Sequence, residues 1–240
     1  MNYLQKMKDF IKDFKNRVEE IEKYFDFVSK IDSIEPYKCQ EIILPDNDKH
    51  IIDSNLQKIL RANCYLMMYN LIESAIRNGI IAIYDAIHDE NLTYKDICDN
   101  IQSIWITYRC ENLIQPAITK KTVLETIRTV LEEVINEETI FFEKEKLPIS
   151  GNLDRDEIQR LREQYKFYGR ISNDNDRLKF ILGKIKKIRN DLAHGNISFR
   201  EAGRNVIMST LIEFKDEVIK YLEDILSNID EYIDNGKFRK

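Results

Sequence analysis

Seven glycines and four prolines are few for a chain of 240 residues. A fold of many short strands reverses direction every few residues, and those reversals draw on both residue types. Long helices with few turns are therefore expected, and the apolar spacing agrees. Leu4, Met7, Phe10, Ile11, Phe14, Val18, Ile21, Tyr24 and Phe25 recur at helical intervals, which predicts one helix over 2–32. Glu35-Pro36 ends that pattern, and 37–49, with Pro45 and Asp46-Asn47-Asp48, reads as a polar connector.

A second long helix is expected from His50 to His88, with its strongly apolar stretch from Cys64 to Tyr84 at the centre of the core. Asn70, Glu73, Ser74 and Arg77 interrupt that stretch and need partners, and Asn78-Gly79 suggests a kink. Thr93-Tyr94-Lys95-Asp96 reads as a helix cap opening a short helix through Trp105. A helix follows over 121–137, then an extended segment and turn over 140–152. A charged helix over 154–167 is closed by Gly169. The next helix, 176–194, is followed by Gly195, which suits the left-handed position past a helix end. Thr210-x-x-Glu213 reads as a capping box for a last helix reaching Asp234, before a basic tail of Lys237, Arg239 and Lys240. The expected architecture is an all-α bundle in one domain, 1–240. Its core is 50–90 with 171–235, the helix and connector 1–49 precede it, and 93–170 is an additional helical insertion.

A hydrophobic content of 43% supports a sizeable core. The net charge of −5 argues against broad nucleic-acid binding but leaves room for a local basic patch. Cysteines at 39, 64, 98 and 110 form no CxxC pair, and His50, His88 and His194 are scattered, so no metal or other cofactor is expected. Asp46, Asp48 and His50 lack the glycine and terminal glutamate of a calcium loop. Free thiols, no signal-peptide pattern and no apolar run long enough to span a bilayer point to the cytoplasm and away from membranes.

The chemistry concentrates in Arg189-Asn190-Asp191-Leu192-Ala193-His194-Gly195. On a regular helix, Arg189 and His194 point ~140° apart, flanking a face made of Gly183, Lys186, Asn190 and Ala193. The apolar stripe of Leu178, Ile181, Ile185, Ile188 and Leu192 points ~130° away from that face. A glycine inside a helix costs about 1 kcal/mol against alanine, so Gly183 asks for a close approach by something outside the domain core. A histidine can take the proton of a 2′-hydroxyl or return one to a leaving oxygen, and a guanidinium can hold two oxygens of a phosphorane. The same residues also suit a bland role, His194 capping a helix end and Arg189 meeting an acid on its own surface.

Arg189-Asn190-x-x-x-His194 resembles the Arg-polar-x-x-x-His signature of the HEPN superfamily. The run Arg189 to Phe199 with Gly203-Arg204, the segment Ser150-Gly151-Asn152-Leu153-Asp154 and the final helix are similar to its bacterial MAE-type group. The likeness is strong over the second half, looser around Asn70 to Ser74, and nearly absent over 1–50. It implies a helical bundle that dimerises through the motif helices and a metal-independent endoribonuclease that leaves a 2′,3′-cyclic phosphate. It also implies a toxin of a toxin–antitoxin or phage-defence system. Arg189, Asn190 and His194 are then catalytic, and Glu73 braces the arginine, against a pairing of Glu73 with Arg77. Lys186, Lys187, Arg200 and Arg204 supply positive charge for RNA. Expected partners are RNA, a second copy of the chain, and a cognate antitoxin or paired HEPN protein. The competing expectation is a non-catalytic HEPN antitoxin or regulatory module that binds a partner protein or nucleotide.

Overall fold

The computed structural model describes residues 3–32, 40–43, 45–114, 118–147, 149 and 151–240. Helix α1 (Tyr3–Ile31) buries Phe10, Phe14, Ile21, Phe25 and Val28. The break at Glu35-Pro36 lies outside the described residues, as do Cys39, Pro148 and Ser150. The expected connector is instead largely an antiparallel hairpin of β1 (Gln40–Ile43) and β2 (Lys49–Ile52), with Ile42 opposite His50. Isoleucines flank the reversal, and Asn47 takes the left-handed conformation (φ 64°) that a tight turn needs. Asp46 and Asp48 accept from backbone N–H groups of the turn at 3.2 and 2.9 Å. Helix α2 (Ser54–Asp89) therefore starts four residues later than expected, where Asp53 accepts from the N–H groups of Asn55 and Leu56.

Buried residues from Ala62 to Ile87 cover well over half of the circumference of α2, because long helices pack around it, and Asn70, Arg77 and His88 mark the strip left to water. Tyr24 on α1 donates to the carbonyl of Leu60 at 2.9 Å, and Asp32 pairs with Arg61 at 3.1 Å. The end of α1 thus meets the start of α2, and the two run antiparallel. Helix α8 (Met208–Asp234) runs parallel to α2: Arg61 donates to the carbonyl of Val206, and Gly79 faces Leu226 and Ile229. No break is recorded at Asn78-Gly79. A Cβ at Gly79 would stand 2.6 Å from Cδ1 of Ile229, so this glycine serves helix contact rather than a kink. Helix α6 (Asp176–Ala193) runs antiparallel to α8, with Phe180 edge-on to Phe214 and Ser172 hydrogen-bonded to Asp224.

Residues 93–170 share one continuous core with these long helices. The Tyr84 ring stacks on Phe142 with centroids 4.1 Å apart, and its hydroxyl meets that of Tyr165 at 2.6 Å. Helix α3 (Asp99–Cys110) begins later and ends later than expected. The Asp96 carboxylate turns back to accept from the N–H and hydroxyl of Thr93, closing an isolated turn instead of a helix. The C-terminal tail then docks on this stretch, Cys98 N–H donating to Phe238 and Lys240 N–H to Asp96. Helix α4 (Lys120–Ile135) has no buried residue and leaves Leu124, Ile127, Leu131 and Ile135 exposed. Helix α5 (Arg155–Tyr165) is closed by Lys166 in the left-handed region (φ 60°), ahead of Gly169.

The reciprocal capping box sits on the four-residue helix α7 (Phe199–Ala202), between Ser198 and Glu201. Thr210 and Glu213 do not form one: α8 opens at Met208 without a side-chain cap, and Glu213 pairs with Arg177 at 2.7 Å. No described helix is long and apolar enough to cross a membrane. Among the described residues, Cys64, Cys98 and Cys110 are free thiols, and no cluster of three His, Cys, Asp or Glu side chains is placed to hold a metal.

Gly203 fixes α7 on α2, since a Cβ there would lie 1.9 Å from the backbone carbonyl oxygen of Lys58. That neighbour is main chain and cannot swing aside. Gly203→Ala is therefore expected to destabilise the protein by about 1–3 kcal/mol, the usual scale of overpacking. Chemical denaturation of the two proteins side by side measures this, and equal midpoints would show that α7 yields freely.

Candidate functional site

The motif lies on the last turn and a half of α6. Leu178, Ile181 and Ile185 of the expected stripe are fully buried, while Ile188 and Leu192 are half-buried as the helix leaves the core. The helix ends in a Schellman arrangement. Asn196 N–H donates to the carbonyl of Asp191 at 2.8 Å, Gly195 N–H donates to that of Leu192 at 3.2 Å, and Gly195 has φ 70°. His194 is the capping residue, and its exposed imidazole has no hydrogen-bond partner among the described residues. The adjacent Asp191 carboxyl is held below the ordinary carboxylate range by its hydrogen bond from Lys187, helped by Asn196 and by the charges of Lys187 and His194.

Arg189 is held in the opposite way. Its guanidinium carbon stands 4.4 Å from the centroid of the Tyr69 ring. Nη1 donates to the carbonyl of Gly151 at 3.2 Å and to Oδ1 of Asn190 at 2.9 Å. Nη2 lies 3.7 Å from a carboxylate oxygen of Glu73. Each contact is modest: the ring contact contributes about 0.5–2 kcal/mol and the partly exposed ion pair under about 1. With the two hydrogen bonds, at about 0.5–1.5 kcal/mol each, they are of the size of the roughly 2 kcal/mol of rotamer freedom that an arginine gives up, or larger. The guanidinium is thus ordered before any ligand arrives.

Glu73 faces Arg189 rather than Arg77, whose guanidinium instead donates to the carbonyl of Lys144 at 3.2 Å. The other polar residues in the apolar stretch of α2 are Ser74, which donates to the carbonyl of Leu71, and Asn70, which is exposed.

The segment 151–154 closes over this face. Tyr69 donates to the Gly151 carbonyl at 2.5 Å and accepts from Leu153 N–H at 3.1 Å. Asn152 Oδ1 accepts from the Asn190 amide at 2.7 Å. Asp154 caps α5 through the N–H of Glu157 and pairs with Lys186. The expected face between Arg189 and His194 is therefore partly covered by the chain itself, at Lys186 and Asn190. Ala193 remains exposed, and a Cβ added at Gly183 meets nothing within 4 Å. No contact among the described residues requires that glycine.

Of the expected RNA-contacting cations, Lys186 pairs with Asp154 and Lys187 with Asp191, whereas Arg200 and Arg204 on and beside α7 are exposed. Tyr69 stands outside every motif of the sequence, and Asn152 and Asp154 were visible only as part of the 150–154 resemblance, with no role assigned. A tyrosine in an apolar helix reads as core, and nothing in its spacing marks the hydroxyl that clips the 151–153 backbone.

With this geometry in hand, comparison with known families places the chain. It matches the MAE_28990-like HEPN family over residues 6–238 and belongs to that family. The match takes in most of α1 and the hairpin, where the visible resemblance was slight. No curated protein and no solved structure matches.

Burial pushes the Asp154 carboxyl up, but the Lys186 ammonium and the backbone N–H groups of Glu157 and Asp156 outweigh it, so the group sits below its ordinary range. A lowered carboxyl contributes stability above its unfolded value of about 3.9, and that contribution disappears as pH falls through the folded value. Asp154→Asn keeps a capping side chain and removes only the charge. It is expected to cost about 1 kcal/mol near neutrality, the scale of a partly exposed ion pair. Urea titrations at pH 7 and in the acid limb should show the two proteins converging below the folded value of Asp154. A constant difference across both would mean that the charge is not what matters.

Proposed function

We propose that the protein is a metal-independent endoribonuclease whose catalytic set is Arg189, Asn190 and His194, with Glu73 and Tyr69 as positioning residues. The observation that carries this reading is the contrast between the two ends of the motif. Arg189 is ordered by four neighbours, and His194, five residues on, presents an imidazole to solvent. An ordered guanidinium suits charge that builds up on phosphorus-bound oxygens, and an accessible imidazole suits proton transfer. In the reaction, the 2′-oxygen attacks phosphorus, the bond to the 5′-oxygen breaks, and a 2′,3′-cyclic phosphate and a free 5′-hydroxyl result. One imidazole accepts the 2′-proton, and a protonated imidazole supplies a proton to the departing 5′-oxygen. Two such groups come from two copies of the chain if the motif faces pack about a two-fold axis. The open space at Gly183 and the exposed Ala193 support that arrangement. A role as a toxin or phage-defence effector in the cytoplasm, with a cognate antitoxin or paired HEPN protein, rests on the family resemblance alone.

The first test is cleavage of RNA with divalent metal chelated. Wild type is expected to cut, and His194→Ala to lose about 10²-fold or more, the usual contribution of general acid–base catalysis. Equal cleavage by both, or none by either, sinks the enzyme reading. Harmless expression together with tight binding to a partner would favour a regulatory module.

The second test concerns the two-fold site. A Cβ at position 183 meets nothing within 4 Å among the described residues, and glutamine improves helix propensity over glycine, so the fold of Gly183→Gln is expected to survive intact. If a second copy packs there, sedimentation should show the dimer lost and RNA cleavage should fall with it. A variant that stays dimeric and active would place the partner elsewhere.

A further inference from the structure

Arg200 and Arg204 do not stand alone. They border a shallow cleft of about 470 Å³ lined by Asn55, Lys58, Ser198, Arg200, Glu201 and Arg204. The cleft brings together the first turns of α2 and the whole of α7, more than 140 residues apart in the chain. Gly203 makes the meeting possible by letting the α7 backbone rest against the carbonyl of Lys58.

The charges around this cleft are unusual for the protein. Lysines and arginines elsewhere are mostly spent on carboxylates: Lys186 on Asp154, Lys187 on Asp191, Arg177 on Glu213, Lys215 on Glu22. Among the described residues, Lys58, Arg200 and Arg204 form no salt bridge. The one carboxylate at the cleft, Glu201, is committed to the cap of α7, accepting from the N–H and hydroxyl of Ser198 at 2.7 and 2.8 Å. Glu201 keeps its negative charge and feels those of Arg200 and Arg204, so the cleft sets three cations against one carboxylate, a surplus of positive charge that favours a further anion. Ser198 at the rim is four residues from His194, a reach of at most about 14 Å even for extended chain.

We propose that the Lys58–Arg200–Arg204 cleft is a phosphate subsite that receives the backbone of a single-stranded RNA whose scissile bond lies at His194. The proposal rests on the ribonuclease reading above and extends it: the strand is gripped by its phosphates on the α7 side of the motif. Lys58 is the new contributor, from a helix that carries none of the motif. On a body of net charge −5, a local cationic concavity also fixes where a polyanion can settle.

The test uses the intact chain in the His194→Ala background, so that RNA is bound and not consumed. Affinity for a short single-stranded RNA is followed by fluorescence anisotropy over a range of KCl. The triple variant Lys58→Gln, Arg200→Gln, Arg204→Gln is compared with Lys12→Gln, Lys15→Gln, which removes exposed charge from α1. Circular dichroism checks that each protein is folded. Each phosphate contact on a single strand contributes about 0.7 to the slope of log K against log salt, so the triple variant is expected to lose about 2 from that slope. It is also expected to bind at least about tenfold more weakly at low salt, while the α1 variant keeps its slope. A triple variant with an unchanged slope overturns the cleft, and if the protein with His194 restored still cuts RNA the ribonuclease reading stands. Loss of slope in the triple variant without cleavage by wild type leaves the cleft standing and sinks the reading. A protein that neither cuts nor binds the RNA loses both.

Discussion

The structure depends on burying most of the circumference of α2 at once. Apart from a strip at Asn70, Arg77 and His88, this helix of 36 residues is lined with side chains that must leave water, and α1, α6, α7 and α8 each cover part of it. That requirement sets the directions of the long helices and brings the end of α6 against the middle of α2. It also makes the polar groups at that contact consequential. Tyr69 is nearly fully buried, and a hydroxyl there needs partners; it finds them in the backbone of 151 and 153. The same ring carries the Arg189 guanidinium. One buried tyrosine thus joins the core to the segment that closes over the motif and to the arginine at its centre.

The long helices were legible because their apolar residues recur over many turns, and α1 and α6 match their expected bounds within a residue or so. What failed was local chemistry with two uses. Thr93 and Asp96 share the spacing of a helix cap, yet their mutual hydrogen bonds close a turn on which the C-terminal tail docks. Ser198 with Glu201 and Thr210 with Glu213 have the same spacing, and only the first becomes a capping box, because α8 already opens at Met208, which puts Thr210 inside the helix, and Glu213 pairs with Arg177. The hairpin at 40–52 went unread because its Asp-rich turn outweighed the isoleucines on either side. In the site, Arg189, Asn190 and His194 were visible as a motif, and Glu73 as a polar residue needing a partner. Which partner it takes is a tertiary fact: Arg77 lies one helical turn away on α2, but the 144 carbonyl claims it. Tyr69 and Lys58 left no trace, since a tyrosine in a core helix and a lysine at its start are ordinary residues there.

The allocation of charge separates the roles of cations that look alike in sequence. Lys186 and Arg204 both appeared as local positive charge near the motif, but Lys186 is bound to Asp154, which also caps α5. Moving it to a phosphate would expose that carboxylate and loosen the 151–154 segment, with its hold on Arg189 and Asn190. Lys186 therefore holds the site together, whereas a cation with no salt bridge can meet an incoming phosphate without breaking anything. A chain with more acids than bases can attract a polyanion only through such uncommitted groups, and around the motif they collect at α7.

The same reasoning bears on the motif. Arg189 spends donors on Gly151, Asn190 and Glu73, but a guanidinium has five N–H groups in a planar fork, so it can keep its supports and still offer others to a phosphoryl oxygen. His194 has the reverse arrangement, a free ring on a well-fixed backbone cap. Fixing the charge and leaving the proton carrier accessible is a sensible division. Charge stabilisation loses strength when its dipoles must reorganise, and a proton carrier has to reach an oxygen that moves as bonds form and break. On a regular helix the two side chains point ~140° apart, so the proposed chemistry asks for a second imidazole beyond the one on the same helix. In the proposed reaction, a groove between two motif faces would bring the arginine of each copy and the imidazoles of both to one phosphate.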